Sequence, residues 1–253
     1  MINICLFGAS GKMGNAVILA AINDDDVNIN NFIVREESNS LNQNVGEFHF
    51  GKYNHQTILG ELNEYKFESY PNIDFDLIID FATRDDIEKR IEIYKALKKP
   101  LIFCSSGLNK SQMNEIKNLS DCFPVFIADN TSILMSLMKE AAIKTKKILQ
   151  KRDYSISVNE KHHKDKLDLP SGTAIGLCEA LSIDPERVDS VREGDYESYH
   201  EVVFLTDYGD KLKIKHSGNR NVYAVEVINI AKWFYQKPKN LYYMQTLIED
   251  LHE

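Results

Sequence analysis

The chain has 253 residues, of which 43% are hydrophobic, and a formal net charge of −8 at pH 7. Its length allows one large core or two modest ones, and its acidic balance argues against a general nucleic-acid partner. No apolar run approaches the roughly 18 residues that a membrane-spanning helix needs. The four cysteines have no metal-ligand spacing, so we expect a cytoplasmic protein with reduced thiols and no metal.

The first half of the chain alternates short apolar runs with helical patterns. The runs predict strands at residues 2–7, 32–34, 77–81, 100–104 and 125–128. The periodicity predicts helices at residues 15–22, 85–97 and 111–119, and an Asp/Asn-rich turn is expected at 23–31. Because strands that are apolar throughout need cover on both faces, this half is predicted to be a Rossmann-like, doubly wound α/β domain with a parallel sheet.

The pattern changes near residue 130. One long amphipathic helix is predicted at 132–150, and residues 154–158 alternate apolar and polar side chains, as in a strand with one solvated face. Further strands are predicted at 202–205 and 212–215, a helix at 173–181, and a helical tail at 223–251 that a Lys-Pro pair interrupts. This mixture predicts a second, smaller α+β domain with a mixed sheet.

A glycine-rich loop directly follows the first predicted strand and opens the first predicted helix. It reads Gly8-Ala9-Ser10-Gly11-Lys12-Met13-Gly14, with the spacing GxxGxxG. Small residues let the backbone approach a pyrophosphate, whose charge is stabilised by the helix N-terminus. The loop therefore predicts dinucleotide binding, although a purely structural tight turn would show the same residues.

The segment from Glu160 to Ala174 combines several groups that bind or protonate an acid. It reads Glu160-Lys161-His162-His163-Lys164-Asp165-Lys166-Leu167-Asp168-Leu169-Pro170-Ser171-Gly172-Thr173-Ala174. Imidazole exchanges protons near neutral pH, lysine supplies positive charge, and a Ser-Gly-Thr turn opening a helix offers N–H groups to an anion. Together these groups can hold an acidic small molecule and protonate it.

This segment resembles the signature Glu-x-His-His-x-x-Lys-x-Asp-x-Pro-Ser-Gly-Thr-Ala of the 4-hydroxy-tetrahydrodipicolinate reductase (dihydrodipicolinate reductase) family of bacterial lysine biosynthesis. Every fixed position of that signature is filled. The resemblance implies that His162 is the general acid and that Lys166 stabilises developing negative charge. The substrate-binding residues that it implies are His163, Ser171, Gly172 and Thr173.

The resemblance also implies the reaction and the organisation of the chain. A cyclic dicarboxylated imine, or its hydroxylated precursor, would be reduced to tetrahydrodipicolinate with NADPH and/or NADH. Residues 1–130, completed by 217–253, would bind the dinucleotide, and residues 131–216 would bind substrate and mediate oligomerisation. The family commonly forms a homotetramer, but the segment after Gly194 is shorter than usual, so a dimer is the alternative.

The glycine loop is similar to the family's Gly-x-x-Gly-x-Met-Gly, and three predicted strand ends are similar to further family elements. They lie at residues 80–83, 104–107 and 128–131, with Cys104 in place of a usual glycine and Thr131 in place of a usual phenylalanine. The cofactor-binding residues implied in this way are Gly8, Ala9, Ser10, Gly11, Lys12, Met13, Arg35, Cys104, Ser105, Ser106, Ala128, Asp129, Asn130 and Thr131.

The end of the second strand leaves the cofactor preference open. The family commonly has an acidic residue followed by arginine here, and aligning the arginines puts Val34 at the acidic position. The Arg35 guanidinium suits a 2′-phosphate and therefore NADPH, whereas Glu36, after a one-residue shift, could reach the ribose and favour NADH. Two other functions stay open, namely a reductase of another imino or keto acid and a catalytically silent, NAD(P)-binding regulatory paralogue.

Overall fold

The computed structural model of the chain describes residues 1–35, 38–46, 62–64, 74–164, 166, 168–194 and 198–251. The chain divides into two compact units, one formed by Met1–Thr131 with Ala224–Glu253 and the other by Ser132–Tyr223. Within the described residues, none of the helices has the length and apolar character needed to cross a membrane.

In the part of the chain that the structure describes, the first unit is built on one parallel sheet of seven strands. They are β1 (Ile2–Phe7), β2 (Val27–Val34), β3 (Leu62–Glu64), β4 (Leu77–Asp80), β5 (Leu101–Phe103), β6 (Val125–Ile127) and β11 (Leu241–Tyr243). The helices are α1 (Lys12–Ile22), α2 (Ile87–Leu97), α3 (Lys110–Asn118), α6 (Arg220–Phe234) and α7 (Met244–Asp250), with a 3₁₀ turn at Leu119–Asp121. The strand order is β11-β6-β5-β4-β1-β2-β3, which confirms the predicted Rossmann-like fold.

The direction of winding reverses beside β1, which pairs with β2 on one side and with β4 on the other. Ligands of open α/β sheets bind outside the carboxyl ends of the strands at such a switch point. The glycine loop begins where β1 ends, and it therefore lies at that position. The central strands are buried, as the continuous apolar runs predicted, and Phe7 packs edge-on against Tyr94 of α2 with 5.6 Å between ring centroids.

The second unit contains a four-stranded mixed sheet with two helices packed against it. Its strands are β7 (Tyr154–His162), β8 (Asp189–Arg192), β9 (Ser198–Thr206) and β10 (Lys211–Gly218), in the order β10-β9-β7-β8. Its helices are α4 (Ile133–Leu149) and α5 (Gly172–Leu181), with a 3₁₀ turn at Pro185–Arg187. The β7–β8 pair is parallel and the others are antiparallel, which confirms the predicted mixed sheet.

Four details differ from the sequence prediction. The expected turn at residues 23–31 is wrong in its second half, since β2 starts at Val27 and alternates buried apolar residues with exposed asparagines. Asparagine is depleted in strands, so the asparagines of this segment favoured the prediction of a turn where β2 begins. The short strands β3, β8 and β11 were not predicted, and β11, inside the expected helical tail, pairs in parallel with β6.

Candidate active site

The glycine loop is packed so closely that side chains would not fit at two of its positions. Gly8 has a φ of +79°, and a Cβ there would lie 2.7 Å from the backbone nitrogen of Ala82. A Cβ on Gly14 would lie 2.4 Å from the carbonyl oxygen of Gly8, so helix α1 contacts the loop backbone directly. The N-cap residue of α1 is Gly11, which has no side chain to accept a capping hydrogen bond. This tight turn of small residues before a helix fits a dinucleotide pyrophosphate.

The other predicted cofactor segments leave the same edge of the sheet. The Cys104 amide donates to the Asp80 carbonyl over 2.9 Å, and the Ala128 amide donates to the Phe103 carbonyl over 3.0 Å. The segments after β4, β5 and β6 therefore begin side by side. The structure thus brings residues 104–106 and 128–131 to the edge at which the glycine loop lies.

Arg35 directly follows β2 and is half exposed. Its Nη1 lies 3.4 Å from Asp85 Oδ2, and the Asp85 carboxylate also accepts a hydrogen bond from Thr83 Oγ1 at 2.9 Å. Among the described residues, the guanidinium is therefore held by an exposed carboxylate, which an incoming phosphate could replace. Glu36, the alternative ribose ligand, lies outside the described residues.

A buried ion pair joins the end of β4 to α2 and contacts the segment that follows β5. Asp80 and Arg90 have fully buried side chains, and Arg90 Nη1 donates to Asp80 Oδ2. Nη2 of Arg90 donates to the Thr83 carbonyl oxygen at 2.5 Å. Ser105 Oγ accepts from Arg90 at 3.2 Å and donates to the Ala82 carbonyl at 2.6 Å. Sequence reasoning did not assign a role to Arg90, because nothing in an amphipathic helix marks one arginine as buried.

In the second unit, the buried residue Glu160 and the catalytic candidate His162 lie two positions apart on β7. Side chains two positions apart on a strand share a face, and both residues are buried here. Nδ1 of His162 lies 3.3 Å from Oε2 of Glu160. The adjacent His163 lies just beyond the strand and is half-buried, so the two neighbouring imidazoles have different surroundings.

The turn that opens α5 is organised around Ser171. Its Oγ accepts a hydrogen bond from the Ala174 amide at 3.2 Å, which makes Ser171 the N-cap of the helix as predicted from its residue type. Both the amide and the hydroxyl of Ser171 donate to the Glu160 carboxylate. The N-terminus of α5 is therefore fixed to the strand that carries His162.

Lys166 is placed beside this turn through Asp168. Lys166 Nζ lies 2.8 Å from Asp168 Oδ1, and the Gly172 amide donates to Asp168 Oδ2 at 3.3 Å. Partial burial alone would raise the pKa of Asp168, but the hydrogen bond and charge of Lys166 hold it below its usual range. In this structure the Asp168 carboxylate thus lies between Lys166 and the helix N-terminus that is predicted to bind an anion.

Two further buried histidines lie in line with Glu160 on the next two strands of the sheet. His200 on β9 is the cross-strand partner of Glu160, and His216 on β10 is the partner of His200. His200 Nε2 lies 3.2 Å from Ser171 Oγ and 3.5 Å from Glu160 Oε2. Burial lowers the pKa of both imidazoles, so they are held in the neutral form at neutral pH. Their positions depend on strand register, and no local sequence motif marks them.

Glu160, His162 and His200 also form a group whose possible metal-ligating atoms lie within 4.8 Å of one another. Oε1 of Glu160, however, already accepts from Arg192 Nη2 at 2.8 Å, so the carboxylate charge is neutralised by a guanidinium. Adding a divalent cation beside Arg192 would be opposed by charge repulsion. The arrangement therefore suits proton handling better than metal binding.

Comparison with known proteins assigns both units to one family. The model described as dihydrodipicolinate reductase, N-terminus, matches residues 2–131, and the corresponding C-terminus model matches 132–248. A 4-hydroxy-tetrahydrodipicolinate reductase of Pseudoalteromonas atlantica is 26% identical, with 98% of this chain and 99% of the relative covered. One of Rickettsia bellii is 29% identical, with 99% and 96% covered.

A solved structure has the same fold. The dipicolinate-bound dihydrodipicolinate reductase from Paenisporosarcina sp. TG-14 matches with a TM-score of 0.70 at 19% identity. The match covers 96% of this chain and 97% of that one. Because the identity is low, this likeness bears on the fold, and the family models carry the assignment.

Proposed function

The chain belongs to the dihydrodipicolinate reductase family of oxidoreductases, and we propose that it reduces 4-hydroxy-tetrahydrodipicolinate, or the dehydrated dihydrodipicolinate, to tetrahydrodipicolinate with NAD(P)H. The observation that carries this proposal is the position of His162. A nearly buried imidazole lies on the strand to which the start of α5 and its Ser-Gly-Thr turn are hydrogen-bonded, with Lys166 close by. This arrangement offers a proton and binding groups for an anion in one place.

The N-terminal unit is an NAD(P)-binding domain, and its residues would bind the cofactor. The tight glycine-rich turn from Gly8 to Gly14 would hold the pyrophosphate against the N-terminus of α1. The backbone of residues 104–106 and 128–131 would line the nicotinamide end at the carboxyl edge of the sheet. The bound cofactor supplies the hydride.

The C-terminal unit would bind the substrate. Thr173 and the amides at the start of α5 would hold one carboxylate, and His162 would donate the proton. His163 and Lys166 would contact the substrate, with Lys166 stabilising the negative charge that develops on it. The Asp168 carboxylate now contacts both Lys166 and the Gly172 amide, so the substrate would take over these two contacts. The solved relative that is bound to dipicolinate supports a small dicarboxylate as the ligand class.

The test is consumption of NADPH or NADH with substrate produced during the assay from pyruvate and aspartate semialdehyde by the preceding synthase. We expect oxidation that requires the synthase and disappears in Lys166→Ala. Oxidation that is independent of the synthase, or none, would contradict the proposal. If oxidation is absent but cofactor binding is detected by fluorescence, another imino or keto acid is assayed next, and failure of all of them leaves the silent paralogue.

Arg35→Ala tests the cofactor preference. If the guanidinium binds the 2′-phosphate, we expect kcat/KM for NADPH to fall about tenfold or more while that for NADH stays within about twofold, because one charge-assisted contact contributes roughly 1.5–3 kcal/mol. Arg187→Ala removes an exposed arginine in the other unit and serves as the matched control. An unchanged NADPH value in Arg35→Ala would exclude the phosphate role.

A further inference from the structure

We propose that Glu160 is a positioning residue that selects the tautomer of His162, so that Nε2 of His162 is the nitrogen that delivers the proton. The identity of the substrate in this inference rests on the proposed function, whereas the geometry around His162 does not depend on it. Glu160 is completely buried on β7 and shares its face with His162. A buried carboxylate needs hydrogen-bond donors for both of its oxygens. The donors that contact each oxygen therefore indicate the role of Glu160.

The two carboxylate oxygens of Glu160 have separate partners. Oε1 accepts from the Ser171 amide at 3.0 Å, from Ser190 Oγ at 2.9 Å and from Arg192 Nη2 at 2.8 Å. Oε2 accepts from Ser171 Oγ and faces both imidazoles, at 3.3 Å from His162 Nδ1 and 3.5 Å from His200 Nε2. One oxygen is therefore held by β8 and the α5 turn, while the other faces the histidines.

The carboxylate stays ionised in this setting. Burial by itself would raise the pKa of Glu160, but the donors from His162, His200, Ser171 and Arg192 hold it well below its usual range. His162 Nδ1 thus faces a permanent negative charge, which favours a proton on that nitrogen. The imidazolium form carries a second proton, on Nε2. Transfer of that proton to the substrate leaves the neutral Nδ1–H tautomer, with Nδ1 still facing Oε2 of Glu160.

The same carboxylate sets the position of the anion-binding turn. Ser171 donates to Glu160 through both its amide and its hydroxyl, and Ser171 caps the helix whose first residues are proposed to hold the substrate carboxylate. One side chain therefore fixes the proton donor and the anion site relative to each other. Among the described residues, the charged or titratable groups beside His162 include Glu160 on its own strand, His200 on β9 and its register partner Arg192 on β8.

Long-range ¹H–¹⁵N spectra of the histidine-labelled protein test the proposal without substrate. In the unmodified chain at high pH, we expect neutral His162 to carry its proton on Nδ1. In Glu160→Gln, we expect a shift towards the Nε2–H tautomer and a loss of kcat of about 10²-fold or more, with cofactor affinity unchanged. Glu193→Gln makes the same chemical change at an exposed carboxylate and is expected to keep both the tautomer and kcat.

The outcomes separate this inference from the proposed substrate. An Nε2–H tautomer in the unmodified chain, or an unchanged His162 tautomer in folded Glu160→Gln, overturns the inference whatever the enzyme reduces. The expected tautomers without any dicarboxylate reduction would support the inference and refute only the substrate. Because the spectrum of the unmodified chain needs no variant, the proposal stays testable even if Glu160→Gln does not fold.

Discussion

His162→Gln is expected to slow turnover by about 10²–10⁴-fold, because a positioned general acid contributes roughly that factor to a proton-transfer step. Glutamine retains a polar side chain but cannot release a proton near neutral pH. Only 11% of the imidazole is exposed, so water has little access to replace it as the acid. The measurement is kcat in the synthase-coupled assay. Cofactor affinity, measured by fluorescence titration, is expected to stay unchanged because the dinucleotide binds to the other unit.

The neighbouring positions supply the controls for this prediction. Lys164→Gln changes an exposed side chain in the same loop and is expected to leave kcat within about twofold of the unmodified value. His163→Gln removes a proposed substrate contact, so it should raise KM more than it lowers kcat. Equal losses of kcat in the two histidine variants would mean that their roles are not distinct. A normal kcat in His162→Gln would reject His162 as the acid.

The candidate site segments that the sequence predicts are those whose residues are consecutive. The loop from Gly8 to Gly14 and the segment from Glu160 to Ala174 each carry their chemistry within one short stretch, and the structure places each at a strand-to-helix turn. The parallel sheet could be predicted for a related reason. Strands covered on both faces are apolar without interruption, and that signal does not depend on distant residues.

The remaining parts depend on contacts that no local pattern encodes. His200 reaches Glu160 only because β9 pairs with β7 in one register, and a shift by one residue would turn His200 to the opposite face. Glu160 was visible as part of the motif, but its role depends on donors from Ser190 and Arg192 on β8. That strand has only four residues, with no fully buried side chain, and gave no recognisable periodicity.

Arg90→Met is expected to lower the free energy of unfolding by about 3–5 kcal/mol, because it leaves the Asp80 carboxylate buried without its positive partner. Methionine fills a similar volume, so the main loss is electrostatic and does not come from a cavity. Both side chains are 0% exposed, and Arg90 also donates to Ser105 and to the Thr83 carbonyl. The measurement is urea unfolding, compared with the unmodified chain by midpoint and slope.

A second substitution distinguishes the effect of the unpaired buried charge on stability from a general destabilisation of α2. In Asp80→Asn with Arg90→Met, the side chain at position 80 is a neutral amide that can still accept from the Ala82 amide, as Asp80 Oδ1 does at 2.7 Å. We therefore expect the double variant to be more stable than Arg90→Met alone, since no unpaired charge remains buried. Lys95→Met removes an exposed ion pair on the same helix and should leave the midpoint unchanged. Additive losses in the double variant would instead show that Arg90 stabilises this sheet edge by packing and hydrogen bonding, and that the charge of Asp80 is not the cause.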